Sequence, residues 1–175
     1  SSIVRAALRM FVNKAAEEGH EVNSGFRSRG ITIPEERTEK VYLTENELTD
    51  LYLLDLTAHP RLDRARDLFL VGCWTGLRFG DLAALSPEHI DGERIRIRPS
   101  KTGKPVVIPL HPILPALLTK YGGKFPPVIS NQKFNGYVKE AAALVPSLQQ
   151  RIPVGITKGG IRREVNRPKW EQVSS

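Results

Sequence analysis

One short segment changes its hydrophobic period and so limits the folds that this chain can adopt. Residues 93–109 begin with alternating charged and branched apolar residues (ERIRIRP), which is the two-residue period of a β-strand. Ile95 and Ile97 fall on one side of this strand, and the arginines fall on the other. Residues 100–104 (SKTGK) contain a glycine and predict a turn, after which PVVIPL returns as a second strand. The segment therefore predicts an antiparallel β-hairpin with one arginine-rich face.

The apolar residues on both sides of this hairpin have a helical period instead. Thr44 and Glu47 form a capping box at the start of one predicted helix. A second hairpin, or an extended basic flap, is predicted over residues 151–170 around Gly159-Gly160. The helices are predicted at residues 44–56, 62–74, 77–85, 111–121 and 131–145. The fold class is therefore α+β, helix-rich, with a small antiparallel sheet.

The first forty residues are organised differently from the rest. Residues 3–18 predict an amphipathic helix, whereas residues 22–39 combine Gly, Ser, Pro and charged residues without any helical period. We interpret residues 1–21 as the last helix of an upstream domain and residues 22–39 as a linker. Residues 40–175 then form the main domain.

The composition favours an anionic partner and argues against several other classes. The net charge is +7, from 26 Lys and Arg against 19 Asp and Glu, which suits nucleic acid, acidic lipid or acidic protein. A single cysteine excludes an internal disulfide and a multi-cysteine zinc site, and the four histidines have no metal-like spacing. The charged N-terminus is neither a signal peptide nor a membrane span. We expect a reducing, cytoplasmic setting.

Arg78 stands where helix physics disfavours a cation. An apolar run leads into Thr75-Gly76, and Arg78 follows in the predicted first turn of the third helix. The free N–H groups of a helix start attract anions, so an arginine there forms a good phosphate pocket with its two-pronged guanidinium. The alternative is a surface arginine that lies over apolar neighbours.

Other polar residues have two interpretations each. Asp81 pairs with Arg78 or holds its rotamer, or else the two form a solvated pair of little energetic consequence. Lys101 either reaches a phosphate from the hairpin turn, where an ammonium can act as an acid, or is an exposed turn lysine. Cys73 is predicted to be a buried structural cysteine.

The basic residues form two clusters that suit contacts to a nucleic-acid backbone. The alternative for both clusters is a solvated basic face. The candidate DNA-binding residues are Arg94, Arg96, Arg98 and Lys104 near the first hairpin, and Lys158, Arg162 and Arg163 near the C-terminus.

Taken in order, these segments resemble the tyrosine recombinase (phage integrase) family, especially integrases of mobile elements. Thr75-Gly76-Leu77-Arg78 followed by Asp81-Leu82 resembles the first catalytic arginine motif of that family. The basic hairpin around Lys101 resembles its catalytic lysine hairpin, and VYLTENELTDLYLLDL resembles the opening of its catalytic domain. The resemblance spans residues 40–150, and residues 1–20 fit the last helix of the preceding DNA-gripping domain.

The resemblance implies a role for each matching residue. Arg78 would clamp the scissile phosphate, Lys101 would act as general acid to the 5′-oxygen, and Asp81 would support the active site. The family breaks and rejoins double-stranded DNA through a 3′-phosphotyrosine, without a metal or small-molecule cofactor, as homo-tetramers on paired sites. The implied setting is the nucleoid in the cytoplasm.

The resemblance stops short of a complete active site. The family's His-x-x-Arg motif, a further His or Trp, and the nucleophilic tyrosine should all follow the hairpin, yet no histidine follows His111. We therefore expect a catalytic domain whose C-terminal part is missing, which binds DNA and does not cleave it.

Two other functions remain open at this point. One is a non-catalytic DNA-binding regulator that uses a basic β-hairpin in a groove. The other is a protein-interaction domain whose basic face meets an acidic partner. The salt dependence of DNA binding separates the second from the rest, because phosphate contacts give a steep linear dependence of log affinity on log salt.

Overall fold

The computed structural model describes residues 2–23, 41–158 and 161–174, and the chain divides into two compact units, residues 1–38 and 39–175. The first unit contains helix α1 (Ser2–Glu17), as predicted from its apolar period. Leu8, Met10 and Phe11 on this helix are exposed. The predicted linker at 22–39 lies almost wholly outside the described residues and stays a prediction.

The second unit is an α+β arrangement of five described helices, a small three-stranded antiparallel sheet and a separate two-stranded ribbon. Short 3₁₀ turns at Pro87–His89, Pro146–Gln149 and Lys169–Gln172 connect these elements. The helices are α2 (Glu45–Leu53), α3 (Pro60–Thr75), α4 (Phe79–Ala83), α5 (Leu114–Lys120) and α6 (Asn131–Ala142). The strands are β1 (Ile90–Asp91), β2 (Arg94–Ile97), β3 (Val106–Pro109), β4 (Arg151–Lys158) and β5 (Ile161–Pro168).

The three-stranded sheet contains the predicted hairpin. Its order is β1-β2-β3, all antiparallel, with Ile95 opposite both Ile90 and Ile108. Ile95 and Ile97 are buried while the arginines between and beside them are exposed, so the predicted two-faced strand is confirmed. The second predicted hairpin is confirmed as the β4–β5 ribbon.

Helix α3 is the centre of the core. Leu70 and Val71 are fully buried, and α3 packs against α2 and α6, which contributes Phe134 and Val138. Pro60 occupies the first turn of α3, where its missing N–H costs no hydrogen bond. A helix that is apolar around most of its circumference can be stable only when it is covered on several sides.

A buried polar network joins three helices and was not predicted from the sequence. The Arg66 guanidinium is 5% exposed and donates to the carbonyls of Leu51, Tyr52 and Leu54 at 2.8–3.1 Å. These carbonyls lie at the C-terminal end of α2, so Arg66 satisfies groups that the helix itself leaves open. α2 ends at Leu53, ahead of the predicted end at 56, because the backbone of Leu54 is extended, with φ −62° and ψ 123°.

The same guanidinium holds two acidic side chains of α3. It donates to Asp63 at 2.5 Å and to the fully buried Asp67 at 2.6 Å. Lys120 of α5 contacts both carboxylates at 2.6 Å, and the Tyr121 hydroxyl donates to Asp67 at 2.9 Å. Burial by itself lowers the pKa of Lys120, but these hydrogen bonds outweigh it and the net pKa is raised. Burial and the bond to Asp67 both raise the pKa of Tyr121.

A second ion pair ties the end of the chain to the start of α2. The predicted capping box is confirmed, with Glu47 accepting from the Thr44 amide at 2.7 Å. The Lys169 ammonium contacts the same Glu47 carboxylate at 2.7 Å, and both side chains are nearly covered. Burial by itself raises the pKa of Glu47, but the hydrogen bonds from Lys169 and Thr44 outweigh it and the net pKa is lowered.

Arg66→Met should lower the free energy of unfolding by about 3 kcal/mol or more, because three helix-end carbonyls lose a donor and the buried Asp67 loses one of its three donors. Arg61→Met is the matched control on the same helix. Arg61 is exposed, pairs with Glu140 and lies 5.2 Å over the Tyr137 ring, so its loss should cost about 1 kcal/mol. Urea denaturation measures both values. Equal losses for the two variants would contradict the role given to Arg66.

Acid should weaken the contact between the Lys169–Gln172 turn and α2. A carboxyl with a lowered pKa stabilises the fold above its usual value of 4.5, and this stabilisation disappears as the pH falls through the lower folded pKa. The stability of the wild type should therefore decline more steeply between about pH 5 and pH 3 than that of Lys169→Met. Urea denaturation across this range tests the difference, with Lys133→Met on the exposed surface of α6 as control. Parallel pH profiles for Lys169→Met and the wild type would contradict the assignment.

Candidate nucleic-acid interface

The junction between α3 and α4 determines where Arg78 is placed. α3 ends at Thr75, and Gly76 adopts a left-handed conformation with φ 65°, which residues with a β-carbon rarely adopt. The Gly76 amide donates to the Gly72 carbonyl at 2.9 Å and closes the helix. Two residues later Arg78 is extended, at φ −67° and ψ 153°, and α4 begins.

This geometry corrects the predicted position of Arg78. The residue precedes α4 as its N-cap and does not lie in the first turn of a helix, as the predicted helix at 77–85 implied. Because α4 has five residues, few peptide dipoles align at its start, so the helix itself adds little attraction for an anion. Arg78 is exposed, and within the described residues its side chain makes no hydrogen bond or ion pair. It is therefore available to an external anion.

Asp81 connects the Arg78 region to the lysine turn. Its side chain is 5% exposed, and its Oδ1 accepts a hydrogen bond from the Ser100 amide at 2.8 Å. The predicted pairing with Arg78 is therefore wrong, because the carboxylate points inward to the hairpin. A buried carboxylate needs a donor, and the backbone amide that precedes Lys101 supplies it.

The turn that carries Lys101 is held at its base. The amides of Thr102 and Gly103 both donate to the Pro99 carbonyl, at 3.2 and 2.9 Å, and Gly103 has φ 63°. Pro99 is buried, whereas Lys101 and Lys104 are exposed. The two lysines therefore project from a short turn whose start is fixed by Asp81 and Pro99.

The three arginines on one face of the first hairpin differ in whether they are paired with a carboxylate. Arg94 and Arg98 are exposed, but Arg96 donates to Asp91 at 2.5 Å. Asp91 belongs to β1, which lies antiparallel beside β2. Arg96 is therefore already neutralised in part, and a pattern read along β2 alone cannot show this.

The second basic cluster lies on the β4–β5 ribbon. Arg163 is exposed and sits opposite Ile156 in the register. Lys158 and Arg162 belong to β4 and β5, but their side chains lie outside the described residues. The two hairpins form separate sheets, so the predicted basic residues occupy two elements and not one surface strip.

A pair of stacked aromatic rings, which the sequence analysis did not predict, lies beside the Arg78 turn. The rings of Trp74 and His111 are 4.3 Å apart and inclined by 5°, and His111 Nε2 lies 3.5 Å from Glu45. Trp74 directly precedes the Thr75-Gly76 turn, and His111 follows β3. The stack thus joins the end of α3 to the end of the hairpin. No local signal predicts a pair separated by so many residues.

Cys73 is exposed, so its prediction as a buried cysteine is wrong. It lies at the edge of two apolar grooves of about 300 and 290 Å³, beside Phe69 and Ser174. The apolar surroundings nevertheless raise the pKa of its thiol to about 12. The thiol is therefore protonated at neutral pH and a poor nucleophile.

The described ranges contain neither a metal-ligand cluster nor a helix suited to a membrane. No group of three or more His, Cys, Asp or Glu side chains in them is placed to hold a metal ion. Among the helices described, none has the length and apolar character that crossing a membrane requires.

No family model matches the chain, but one curated relative does. Over 101 residues the chain is 30% identical to a tyrosine recombinase XerC-like protein of Caldanaerobacter subterraneus subsp. tengcongensis. The match covers 58% of this chain and 26% of that protein, so the chain corresponds to about a quarter of the relative.

Solved structures of lambda integrase share the fold. A lambda integrase (75–356) dimer bound to a COC′ core site gives a TM-score of 0.63 at 19% identity, covering 98% of this chain and 60% of that one. A lambda integrase tetramer bound to a Holliday junction gives 0.61 at 21% identity, covering 83% and 45%. The predicted helix-rich α+β fold is thereby confirmed, and it is the fold of lambda integrase.

Asp81→Ala should release the lysine turn without unfolding the domain. The Ser100 amide loses its acceptor, so its hydrogen exchange should accelerate, while the amides of α3 keep their protection. Asp81→Asn is the matched control, because it keeps an oxygen acceptor of the same size. Hydrogen exchange followed by mass spectrometry or NMR measures both. Unchanged exchange at Ser100 in Asp81→Ala would contradict the anchoring role.

Proposed function

We propose that this chain is part of a site-specific tyrosine recombinase, an integrase that breaks and rejoins duplex DNA through a 3′-phosphotyrosine. The observation that best supports this proposal is the 2.8 Å hydrogen bond from the Ser100 amide to Asp81. It ties the turn of Lys101 to the short helix that starts at Arg78, so two exposed cations share one buried anchor. This connection supports a site in which both cations act on one ligand, which a regulator or a protein-interaction domain does not require.

Arg78 acts on the non-bridging oxygens of the scissile phosphate in this proposal. Its guanidinium presents two parallel N–H groups, which match two phosphate oxygens and gain strength as negative charge develops in the five-coordinate transition state. An arginine without an internal partner is suited to this role, because no existing ion pair has to be broken. In this scheme arginines supply the charge stabilisation that a metal ion provides elsewhere.

Lys101 acts as the general acid. A tyrosine oxygen attacks the phosphorus and forms the 3′-phosphotyrosine, the bond from phosphorus to the 5′-oxygen breaks, and the Lys101 ammonium gives its proton to that oxygen. A short, basic turn with an exposed lysine can follow the DNA backbone closely. Asp81 is a positioning residue, since it contacts the backbone of the turn and not the DNA.

The nucleophile is not assigned to any residue of this chain. Tyr121 is engaged with the buried Asp67, and no His-x-x-Arg sequence follows His111 in the 175 residues. We therefore propose that these residues bind DNA and do not cleave it alone, and that the strand-cleaving groups lie elsewhere in the full-length protein.

The remaining cations contact the DNA backbone in this proposal. Arg94, Arg98 and Lys104 serve beside the first hairpin, and Arg163 serves on the ribbon with Lys158 and Arg162. Arg96 contributes less, because Asp91 already neutralises it in part. The lambda integrase structures include a dimer on a core site and a tetramer on a Holliday junction. We infer a homo-tetramer on paired sites for the full-length protein of a mobile element, in the nucleoid.

Arg78→Ala in the full-length protein should abolish covalent adduct formation on a nicked suicide substrate. The expected loss is about a thousandfold or more, the scale of a transition-state arginine in phosphoryl transfer, whereas DNA affinity should change little. Arg61→Ala, which removes another exposed arginine from the preceding helix, should leave cleavage intact. Adduct formation at the normal rate by Arg78→Ala would rule out the phosphate clamp.

Lys101→Ala should slow strand cleavage by roughly a hundredfold or more, as expected for the loss of a general acid. A substrate with sulfur in place of the bridging 5′-oxygen needs no proton on its leaving group, so it should restore the rate. Lys104→Ala, from the same turn, should require no such rescue. Absence of rescue in Lys101→Ala would assign this lysine to binding and not to proton transfer.

A further inference from the structure

The described apolar residues of the β4–β5 ribbon do not join the hydrophobic core. The apolar residues that form or pack against the core include Leu148 just before the ribbon and Trp170 just after it. None of the described apolar residues of the ribbon itself belongs to that set. These residues are Ile152, Val154, Ile156 and Val165, all of them half-buried. An isolated two-stranded ribbon is only marginally stable in water, so an uncovered ribbon of this length suits a binding partner.

The register separates the ribbon into two unlike faces. Val154 is opposite Val165, and Ile156 is opposite Arg163, so these four side chains share one face. Ile152 and Arg167 extend the same face towards the base of the ribbon. The other face contains Glu164, which lies opposite Gly155. Among the described side chains, the first face therefore combines an apolar centre with arginines and has no carboxylate.

The charge of the ribbon selects an anionic partner. Residues 151–168 contain five Lys or Arg residues and one acidic residue, so they contribute four of the seven net positive charges of the chain. A second copy of the ribbon would meet this one with like charge, which opposes pairing of the two. Arg163 makes no hydrogen bond or ion pair within the described residues, whereas Arg167 is paired with Glu171 at 3.2 Å. Arg163 is thus the cation best placed for an external anion.

The dimensions of the ribbon match the major groove of duplex DNA. Two paired strands lie about 4.8 Å apart, and eight residues extend roughly 26 Å at about 3.3 Å each. The major groove is about 12 Å wide and admits a two-stranded ribbon, where thymine presents its C5-methyl group. An apolar centre with a cation beside it matches a groove with methyl groups on its floor and phosphates on its rims.

We propose that the β4–β5 ribbon is a second DNA-contacting element, which lies in the major groove with Val154 and Val165 against thymine methyl groups and Arg163 on a phosphate. The proposal rests on the DNA binding inferred above and adds a base-dependent contact to a backbone clamp. The opposite face is disfavoured, because Glu164 would bring its carboxylate towards the phosphates. Phosphate contacts position a protein on DNA, and groove contacts choose the sequence.

Binding of the 175-residue chain to two duplexes tests the apolar contact. One duplex has alternating adenine and thymine, and the other has deoxyuridine at every thymine position, which removes only the C5-methyl groups. The wild type should bind the thymine duplex about three- to fourfold more tightly for each methyl group that it covers. Val154→Thr with Val165→Thr keeps residues that favour strands but adds hydroxyl groups, and it should reduce this preference towards unity.

Salt titrations of binding to the thymine duplex test whether Arg163 contacts a phosphate. Arg163→Gln should weaken binding and reduce the log–log salt slope by about one, as expected for the loss of one phosphate contact. Lys124→Gln removes the same charge from an exposed residue outside both hairpins and should leave the slope unchanged. Glu164→Gln on the opposite face should not weaken binding.

The outcomes distinguish this proposal from the function on which it rests. No salt-dependent binding by the wild type would overturn both. Steep salt dependence without a methyl preference, with Arg163→Gln behaving like Lys124→Gln, would overturn the ribbon contact and leave DNA binding standing. A change of oligomeric state in Val154→Thr with Val165→Thr without DNA, seen by analytical ultracentrifugation, would assign the ribbon to a second copy and also overturn the proposal.

Discussion

The buried guanidinium of Arg66 is the constraint on which the rest of the unit at residues 39–175 depends. It closes the end of α2, holds Asp63 and Asp67, and through those carboxylates meets Lys120 at the end of α5. A buried charge is tolerated only where every polar partner is present, so three helices have to meet in one arrangement. That arrangement fixes the orientation of α3. The Arg78 turn follows directly after the C-terminal end of α3.

The candidate site also depends on a buried charged side chain whose partner is distant in sequence. Asp81 is buried, and it is satisfied by the Ser100 amide of an element remote in sequence. One hydrogen bond thus relates the Arg78 turn to the Lys101 turn, while the stack of Trp74 on His111 relates the end of α3 to the end of β3. In both parts of the domain, polar or aromatic contacts between distant residues determine how the exposed cations are presented.

Local sequence patterns predicted the helices and strands well, but they predicted the contacts of individual charged side chains poorly. The alternation at Ile95 and Ile97, the capping box at Thr44 and the glycine at position 76 each depend on neighbours within a few residues, and each prediction agrees with the structure. The expected pairing of Asp81 with Arg78 failed because a nearby backbone amide was a better partner than a side chain on the same short helix. Arg96 was predicted to contact DNA like its neighbours, and nothing in its own strand shows that it pairs with Asp91 of β1.

By itself the sequence determined the α+β class, the two hairpins, the excess of positive charge and the order of the Arg78 and Lys101 segments, since these follow from composition and short-range periodicity. The tertiary structure decided which charged residues are engaged internally and which are available. Arg66, Arg96 and Lys169 have internal carboxylate partners, while Arg78 and Arg163 have none within the described residues. That distinction requires knowing which carboxylates and carbonyls the fold brings within hydrogen-bonding distance, and no pattern of a few residues contains it.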